Sequence, residues 1–323
     1  MLAARERTKV LVLGPPSEPF WAGLAEMVDW TDLTIGVDPQ AVEGPLAEAE
    51  VVFSWVDAPD LAPYWSRARR LRWLHSALAG VNGLLFPALV ESNVVLTRSV
   101  GVYADSLAEY ALAAMLYFAK RLPEMKEAQR LHEWRRLAPV DLRGATLGVI
   151  GLGDVGLAVA RRGRSLGMRV VGLRRSRGAP PAGVDEVWPA PALCEMLGRC
   201  DYVVVTLPLT PSTRALFGPA ELRSLKAGAV LIDIARGGIV DEQTLLSLLE
   251  SGHLAGAALD VFAHEPLPLE SPLWSAPNLL ISAHTVDNVA GWQERAVALF
   301  LENSRRYRAG KQLLGVVDKA RGY

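Results

Sequence analysis

Cysteine is nearly absent from this chain: Cys194 and Cys200 are the only two in 323 residues. Two thiols cannot build a disulfide framework, and these two lack the spaced companions of a metal site. They read as small apolar filler in a reducing, cytoplasmic setting. Charge of one sign is equally scarce, with 34 Lys and Arg against 35 Asp and Glu and a formal net charge of -1. No basic surplus marks the chain for nucleic acid or for an anionic membrane surface. Long apolar runs are missing too. The most apolar helical stretch, 108–119, contains Glu109 and lies between Asp105 and Lys120, well short of the roughly 20 residues a membrane span needs. The first residues, Met1-Leu2-Ala3-Ala4-Arg5-Glu6-Arg7, carry no apolar signal-peptide core. Low-complexity tracts and readable internal repeats are lacking. What is present is a chain half hydrophobic and long enough to bury two cores.

The first hundred residues alternate strand-like and helix-like runs. Strands are expected over 10–13, 33–36, 51–55, 71–76 and 94–97, with helices over 20–28 and 62–70. Residues 105–122 read as one long helix, with Pro123 just past its end, linking two domains. A second series begins at Leu147, with strands expected over 147–150, 170–173, 202–207, 230–234, 256–261 and 279–281. Residues 290–310 read as a closing helix. Alternation of this kind implies parallel sheets covered by helices. The fold class is therefore α/β, with two doubly wound domains, one over 102–286 and one from 1–101 and 287–323.

The densest signal is Gly151-Leu152-Gly153-Asp154-Val155-Gly156. The apolar run 146–150 precedes it, a helix-like run from Leu157 follows, and a second apolar run, 168–173, comes one helix later. That is the context a dinucleotide fingerprint requires. Gly151 permits the tight turn, Gly153 lets backbone approach a pyrophosphate, and Gly156 lets helix and strand pack closely. The helix N-terminus then favours phosphate charge. At the end of the next strand, where a carboxylate ordinarily binds the adenosine ribose, the chain has Arg174-Arg175-Ser176-Arg177. Guanidinium groups there suit a 2′-phosphate, so NADP is the expected cofactor in preference to NAD. The ordinary alternative is an exposed basic loop.

Three further motifs fall at the ends of later strands, where ligands gather in open α/β sheets. They are Ile232-Asp233-Ile234-Ala235-Arg236-Gly237-Gly238, Asp260-Val261-Phe262-Ala263-His264-Glu265-Pro266, and Ile281-Ser282-Ala283-His284-Thr285. Reducing a ketone builds negative charge on its oxygen, which a fixed cation stabilises. A group that gives and takes a proton near neutral pH is most easily histidine, and a neighbouring carboxylate favours its charged form. Each residue also has an ordinary reading: a surface arginine, a loop acid, a satisfied buried histidine. Their joint occurrence in this order favours catalysis. His132 and His253 read as exposed, His264 as a bystander, and His75 as a minor pocket residue.

With Cys200-Asp201-Tyr202 and the run Leu207-Pro208-Leu209-Thr210-Pro211-Ser212-Thr213-Arg214, these motifs resemble the D-isomer-specific 2-hydroxyacid dehydrogenases, most closely the NADPH-using glyoxylate and hydroxypyruvate reductases. The resemblance runs from about residue 70 to the C-terminus. It implies a Rossmann dinucleotide-binding domain over 102–286 and a flavodoxin-like substrate domain from 1–101 and 287–323, with a cleft between them. It implies an oxidoreductase in which Arg236 holds the substrate carboxylate, His284 exchanges the proton and Glu265 pairs with His284. It places Asp260 beside the nicotinamide. It assigns the cofactor to Gly151, Gly153, Asp154, Val155, Gly156, Arg174, Arg175, Ser176, Leu207, Pro208, Thr213, Ile234, Ala235, Arg236, Asp260 and His284. It assigns the substrate, a small 2-keto or 2-hydroxy acid, to backbone of Leu78, Ala79 and Gly80 together with Arg236 and His284. The small residues of 77–83 can also form a plain glycine turn. Asn82 and Ala283 stand where the family usually has aspartate and proline. A homodimer is implied as well. The alternatives are a 3-phosphoglycerate dehydrogenase-like enzyme and a dinucleotide-sensing corepressor on the same fold.

Overall fold

A computed structural model describes residues 7–14, 18–36, 42–55, 61–175 and 178–323. The chain divides into two compact units, residues 1–102 with 290–323, and residues 103–289.

The first unit carries five parallel strands: β1 (Thr8–Leu13), β2 (Thr31–Ile35), β3 (Val51–Ser54), β4 (Trp73–Ser76) and β5 (Val95–Arg98). Their order is β2-β1-β3-β4-β5, the flavodoxin-like arrangement. Strand periodicity splits the apolar residues between two faces. Leu11, Leu13, Val52, Leu74 and Leu96 build one core, and Val10, Val12, Val51, Phe53 and Trp73 build the other. The helix Trp292–Arg308 covers the second face through Val297 and Phe300. The expected helix over 20–28 is a 3-10 helix, Pro19–Met27, and that over 62–70 is another, Ala62–Arg67.

The second unit has a seven-stranded parallel sheet: β6 (Thr146–Ile150), β7 (Arg169–Arg174), β8 (Glu186–Pro189), β9 (Tyr202–Val205), β10 (Val230–Asp233), β11 (Gly256–Leu259) and β12 (Leu279–Ile281). The order β12-β11-β10-β9-β6-β7-β8 is the Rossmann order with one further edge strand. Six strands are legible in the sequence; β8 is the correction. Its four residues are all half-buried, and Pro189 ends it, as an edge position tolerates.

The long helix also needs correction. It spans Ala104–Ala119, belongs to the second unit, and stops before Arg121, which takes the left-handed conformation at φ 56. Pro123 opens the next helix, Leu122–Arg130, rather than closing the first, because proline fits a first helical turn. Buried Ala104, Ala108 and Ala111 lie on a helix that packs against Asp154–Ser165. Arg162 of that helix reaches Asp105 at 2.9 Å. Cys200 is buried, gives its Sγ–H to the Met196 carbonyl at 3.2 Å, and has its thiol pushed up to about 12 by burial. Cys194 departs from the filler reading and is exposed. Among the described residues, no helix is long and apolar enough to cross a membrane.

Candidate active site

The fingerprint turn follows β6, with Gly151 at φ 105 and Gly153 capping the helix Asp154–Ser165. A Cβ at Gly156 would stand 1.9 Å from the Gly151 carbonyl oxygen, so only glycine lets this helix start so close to the strand. A Cβ at Gly153 would meet nothing within 4 Å; the protein's own packing does not demand glycine there, and the cradle stays open at the helix N-terminus. Thr206 Oγ1 donates to the Gly151 carbonyl at 2.8 Å and fixes the turn from β9. Half-buried Asp154 and Val155 form the first helical turn, where an acid complements the dipole. These features fit a dinucleotide pyrophosphate.

Arg174 ends β7 and folds back over the following loop: its Nη2 donates to the Ala179 carbonyl at 3.5 Å. Arg175 is exposed, and Ser176 lies outside the described residues. Beyond β9, Leu207 and Pro208 are half-buried. Thr213 ties this loop together, donating to the Pro208 carbonyl at 2.6 Å and accepting from the Thr210 N–H at 2.8 Å.

The three catalytic candidates come from three neighbouring strand ends. After β10, Ile234 and Ala235 are buried and Arg236 is half-buried, with its Nη1 donating to the Ala235 carbonyl at 2.7 Å. A Cβ at Gly237 would stand 1.7 Å from the Phe262 carbonyl oxygen. The Arg236 turn is thus pressed, backbone on backbone, against the loop that carries Glu265. That loop is pinned twice. The Phe262 N–H donates to Glu265 Oε1 at 2.8 Å, and the Ala263 N–H donates to Glu242 Oε1 at 2.6 Å. The other oxygen of Glu265, Oε2, lies 2.7 Å from His284 Nδ1, and both side chains are 34% exposed. His284 follows β12 at φ 46, a left-handed position that is uncommon for a residue with a Cβ and recurs at functional sites. Buried Asp260 fixes it: the His284 N–H donates to the Asp260 carbonyl at 2.8 Å, and the Thr285 N–H to Asp260 Oδ1 at 3.0 Å.

Sequence reasoning left several groups here without a role. Asp233, 2% exposed, accepts from the Ala235 N–H at 2.9 Å. Burial pushes its carboxyl up to about 7, with Glu242 and Asp260 adding to the rise and the Ala235 N–H and the Arg236 charge opposing it. Half-buried Asp287 is raised by burial against the pull of both His284 and Arg236. Tyr110 accepts from Ser282 Oγ at 2.9 Å, and burial raises its phenol. Asp233 stands inside the motif 232–238, where a carboxylate closing the apolar run 230–232 was the available signal.

In the first unit, residues 78–80 leave β4 as a half-buried loop. The Leu78 N–H already donates to Ser76 Oγ at 3.2 Å, whereas the N–H groups of Ala79 and Gly80 find no acceptor among the described residues. His75 is no pocket residue. It is fully buried, its value is lowered to about 3 by burial, and its Nδ1 lies 2.6 Å from Thr97 Oγ1. Trp73 Nε1 donates to the same hydroxyl at 2.7 Å. His253 is half-buried with Nε2 2.9 Å from the Leu225 carbonyl, while His132 and His264 are exposed.

A glycine turn open at a helix N-terminus, and an arginine and a carboxylate-paired histidine on the carboxyl edge of the same sheet, fit an α/β nicotinamide-dinucleotide oxidoreductase. Residues 112–286 match the D-isomer specific 2-hydroxyacid dehydrogenase, NAD binding domain, family model. A D-isomer specific 2-hydroxyacid dehydrogenase from Xanthobacter autotrophicus, solved with NADPH and MES, is 33% identical with a TM-score of 0.86, over 98% of this chain and 100% of that one. The NADPH-dependent glyoxylate/hydroxypyruvate reductase of Sinorhizobium meliloti, solved with NADP and sulfate, is 31% identical with a TM-score of 0.85, over 98% and 100%. A D-3-phosphoglycerate dehydrogenase of Methanocaldococcus jannaschii is 28% identical over 96% of this chain, which spans 59% of that protein's length. The chain belongs to the D-isomer specific 2-hydroxyacid dehydrogenase family.

Proposed function

We propose that this protein reduces small 2-keto acids, glyoxylate and hydroxypyruvate first among them, to the corresponding 2-hydroxy acids with NADPH, in the D-configuration where C2 becomes chiral. The observation that carries the reading is the 2.7 Å pair of His284 Nδ1 with Glu265 Oε2, set beside the Arg236 turn. A bound reduced nicotinamide supplies the electron pair. Arg236 has one N–H committed to its own backbone; its remaining donors hold the substrate carboxylate and stabilise the charge growing on the keto oxygen. Because Nδ1 faces Glu265, Nε2 of His284 delivers the proton to that oxygen, and Glu265 stabilises the ring while it is charged. Asp260 sets the angle of the histidine by accepting the His284 and Thr285 N–H groups, and its place at the strand end would put it beside the nicotinamide of a bound cofactor. The Ala79 and Gly80 N–H groups supply further donors to the substrate carboxylate.

Preference for NADP over NAD is supported by Arg174 and Arg175 at the end of β7, where no carboxylate stands, and by relatives solved with NADPH or NADP. The Sinorhizobium meliloti relative, a glyoxylate/hydroxypyruvate reductase, favours a reductase over the 3-phosphoglycerate dehydrogenase reading. Self-association as a homodimer is supported by exposed Leu122, Met125, Leu131, Val140 and Trp134, the last 98% exposed, within the second unit. The near-absence of cysteine suits a reducing cytoplasm. The test is a panel of 2-keto acids offered with NADPH and with NADH. Turnover of glyoxylate or hydroxypyruvate with NADPH preferred supports the proposal; turnover of none, or preference for NADH, contradicts it.

A further inference from the structure

The loop proposed to bind the substrate carboxylate is held from behind by the strand next to it. In β4 and β5, Ser76 pairs with Arg98, so the loop leaving Ser76 runs beside residues 98 and 99. The Ser99 N–H donates to the Leu78 carbonyl at 3.2 Å, and Ser99 Oγ donates to the Ser76 carbonyl at 3.1 Å. Arg98 Nη1 donates to the Ala79 carbonyl at 3.2 Å. A trans peptide points its C=O and the next N–H in opposite directions. With the Leu78 carbonyl drawn toward Ser99, the Ala79 N–H faces away from β5. With the Ala79 carbonyl drawn toward Arg98, the Gly80 N–H does the same. Two successive donors are thereby turned outward together, the arrangement that receives an anion.

The backbone of Arg98 is fixed in turn by residues 315–317. The Arg98 N–H donates to the Gly315 carbonyl at 3.0 Å, the Val317 N–H donates to the Leu96 carbonyl at 2.9 Å, and Thr97 bridges Val316 antiparallel. Gly315 takes φ 68, and a Cβ there would stand 2.5 Å from the Arg98 carbonyl oxygen. A guanidinium keeps its charge at every working pH, so its charge-assisted bond keeps the Ala79 carbonyl oriented.

We infer that Arg98 is a positioning residue for substrate: through the Ala79 carbonyl it aims the Ala79 and Gly80 N–H groups at the substrate carboxylate. This rests on the reading of residues 78–80 as a carboxylate loop. The experiment measures glyoxylate kinetics and NADPH affinity in Arg98→Met, Arg98→Ala and Gly80→Pro, with circular dichroism as the check on folding. Loss of a charge-assisted hydrogen bond predicts that KM for glyoxylate rises about 10- to 100-fold in Arg98→Met, while kcat stays within about threefold and NADPH affinity is unchanged. Guanidinium ion added at low concentration to Arg98→Ala restores KM, which a merely structural arginine would not allow. If the methionine variant does not fold, rescue of the alanine variant decides. Unchanged KM in Arg98→Met, equal loss of kcat and KM effects without rescue, or weakened NADPH binding overturns the role. Gly80→Pro removes one of the two donors. A rise in KM there without one in Arg98→Met keeps the loop and rejects Arg98, whereas no change in Gly80→Pro rejects the loop itself.

Discussion

Replacing Asp233 with asparagine removes one titrating group from the interior of the dinucleotide unit while preserving its shape and its bond to the Ala235 N–H. Asp233 is 2% exposed, and burial is the main cause that lifts its carboxyl from an ordinary 3.8 to about 7. A folded-state value above the unfolded one means a contribution that is complete below about pH 3.8. It shrinks with rising pH and is lost once pH has passed about 7. The span from 3.8 to about 7 corresponds to on the order of 4 kcal/mol of unfolding free energy. Local relaxation and water penetration reduce this to about 2–4 kcal/mol. The amide of Asp233→Asn does not titrate, so the variant gains that much over wild type between pH 4 and pH 8 and matches it within about 1 kcal/mol at the acid end. Urea unfolding of the whole chain, followed by circular dichroism at several pH values, reads the difference directly. A variant-minus-wild-type difference that is flat across that range, or that falls as pH rises, refutes the argument.

Three further outcomes follow from the same geometry. Gly156→Ala drives a Cβ toward the Gly151 carbonyl, and NADPH affinity by calorimetric titration drops about tenfold or more; unaltered affinity would mean the turn does not carry the pyrophosphate. Arg174→Glu places an acid at the end of β7 and lowers the NADPH-to-NADH ratio of kcat/KM at least about tenfold, with an unchanged ratio counting against a phosphate contact. Glu265→Gln deprives His284 of its carboxylate partner at 2.7 Å and cuts kcat about 100-fold while NADPH affinity holds. Retention of wild-type kcat would remove Glu265 from the proton path.

Much of this was legible in the sequence because it depends on local demands. Gly151, Gly153 and Gly156 answer three steric requirements within one turn, and continuous apolar runs such as 10–13 announce a sheet buried on both faces. Arg236, Glu265 and His284 stood out as candidates because each lies within a few residues of the end of an apolar run. What escaped notice is set by distant contacts. β8 is short, half-buried and ended by Pro189, so nothing in its own composition separates it from a loop. The break at Arg121 is a single backbone rotation that no pattern of apolar residues encodes, and Pro123 looks alike as a stop and as a start. Asp233 passes for a turn acid until the burial around it is seen. Arg98 passes for a surface cation until its bond to Ala79, a neighbour only through the β4–β5 pairing, is known.

The central claim is that Arg236 and His284 act on one carbonyl beside a reduced nicotinamide. Its most direct measurement is single-turnover reduction of glyoxylate by NADPH-loaded wild type, Arg236→Ala and His284→Ala, read as loss of nicotinamide absorbance. The predicted result is a step slowed at least about 100-fold in both variants with the cofactor still bound; reduction by His284→Ala at the wild-type rate would contradict it.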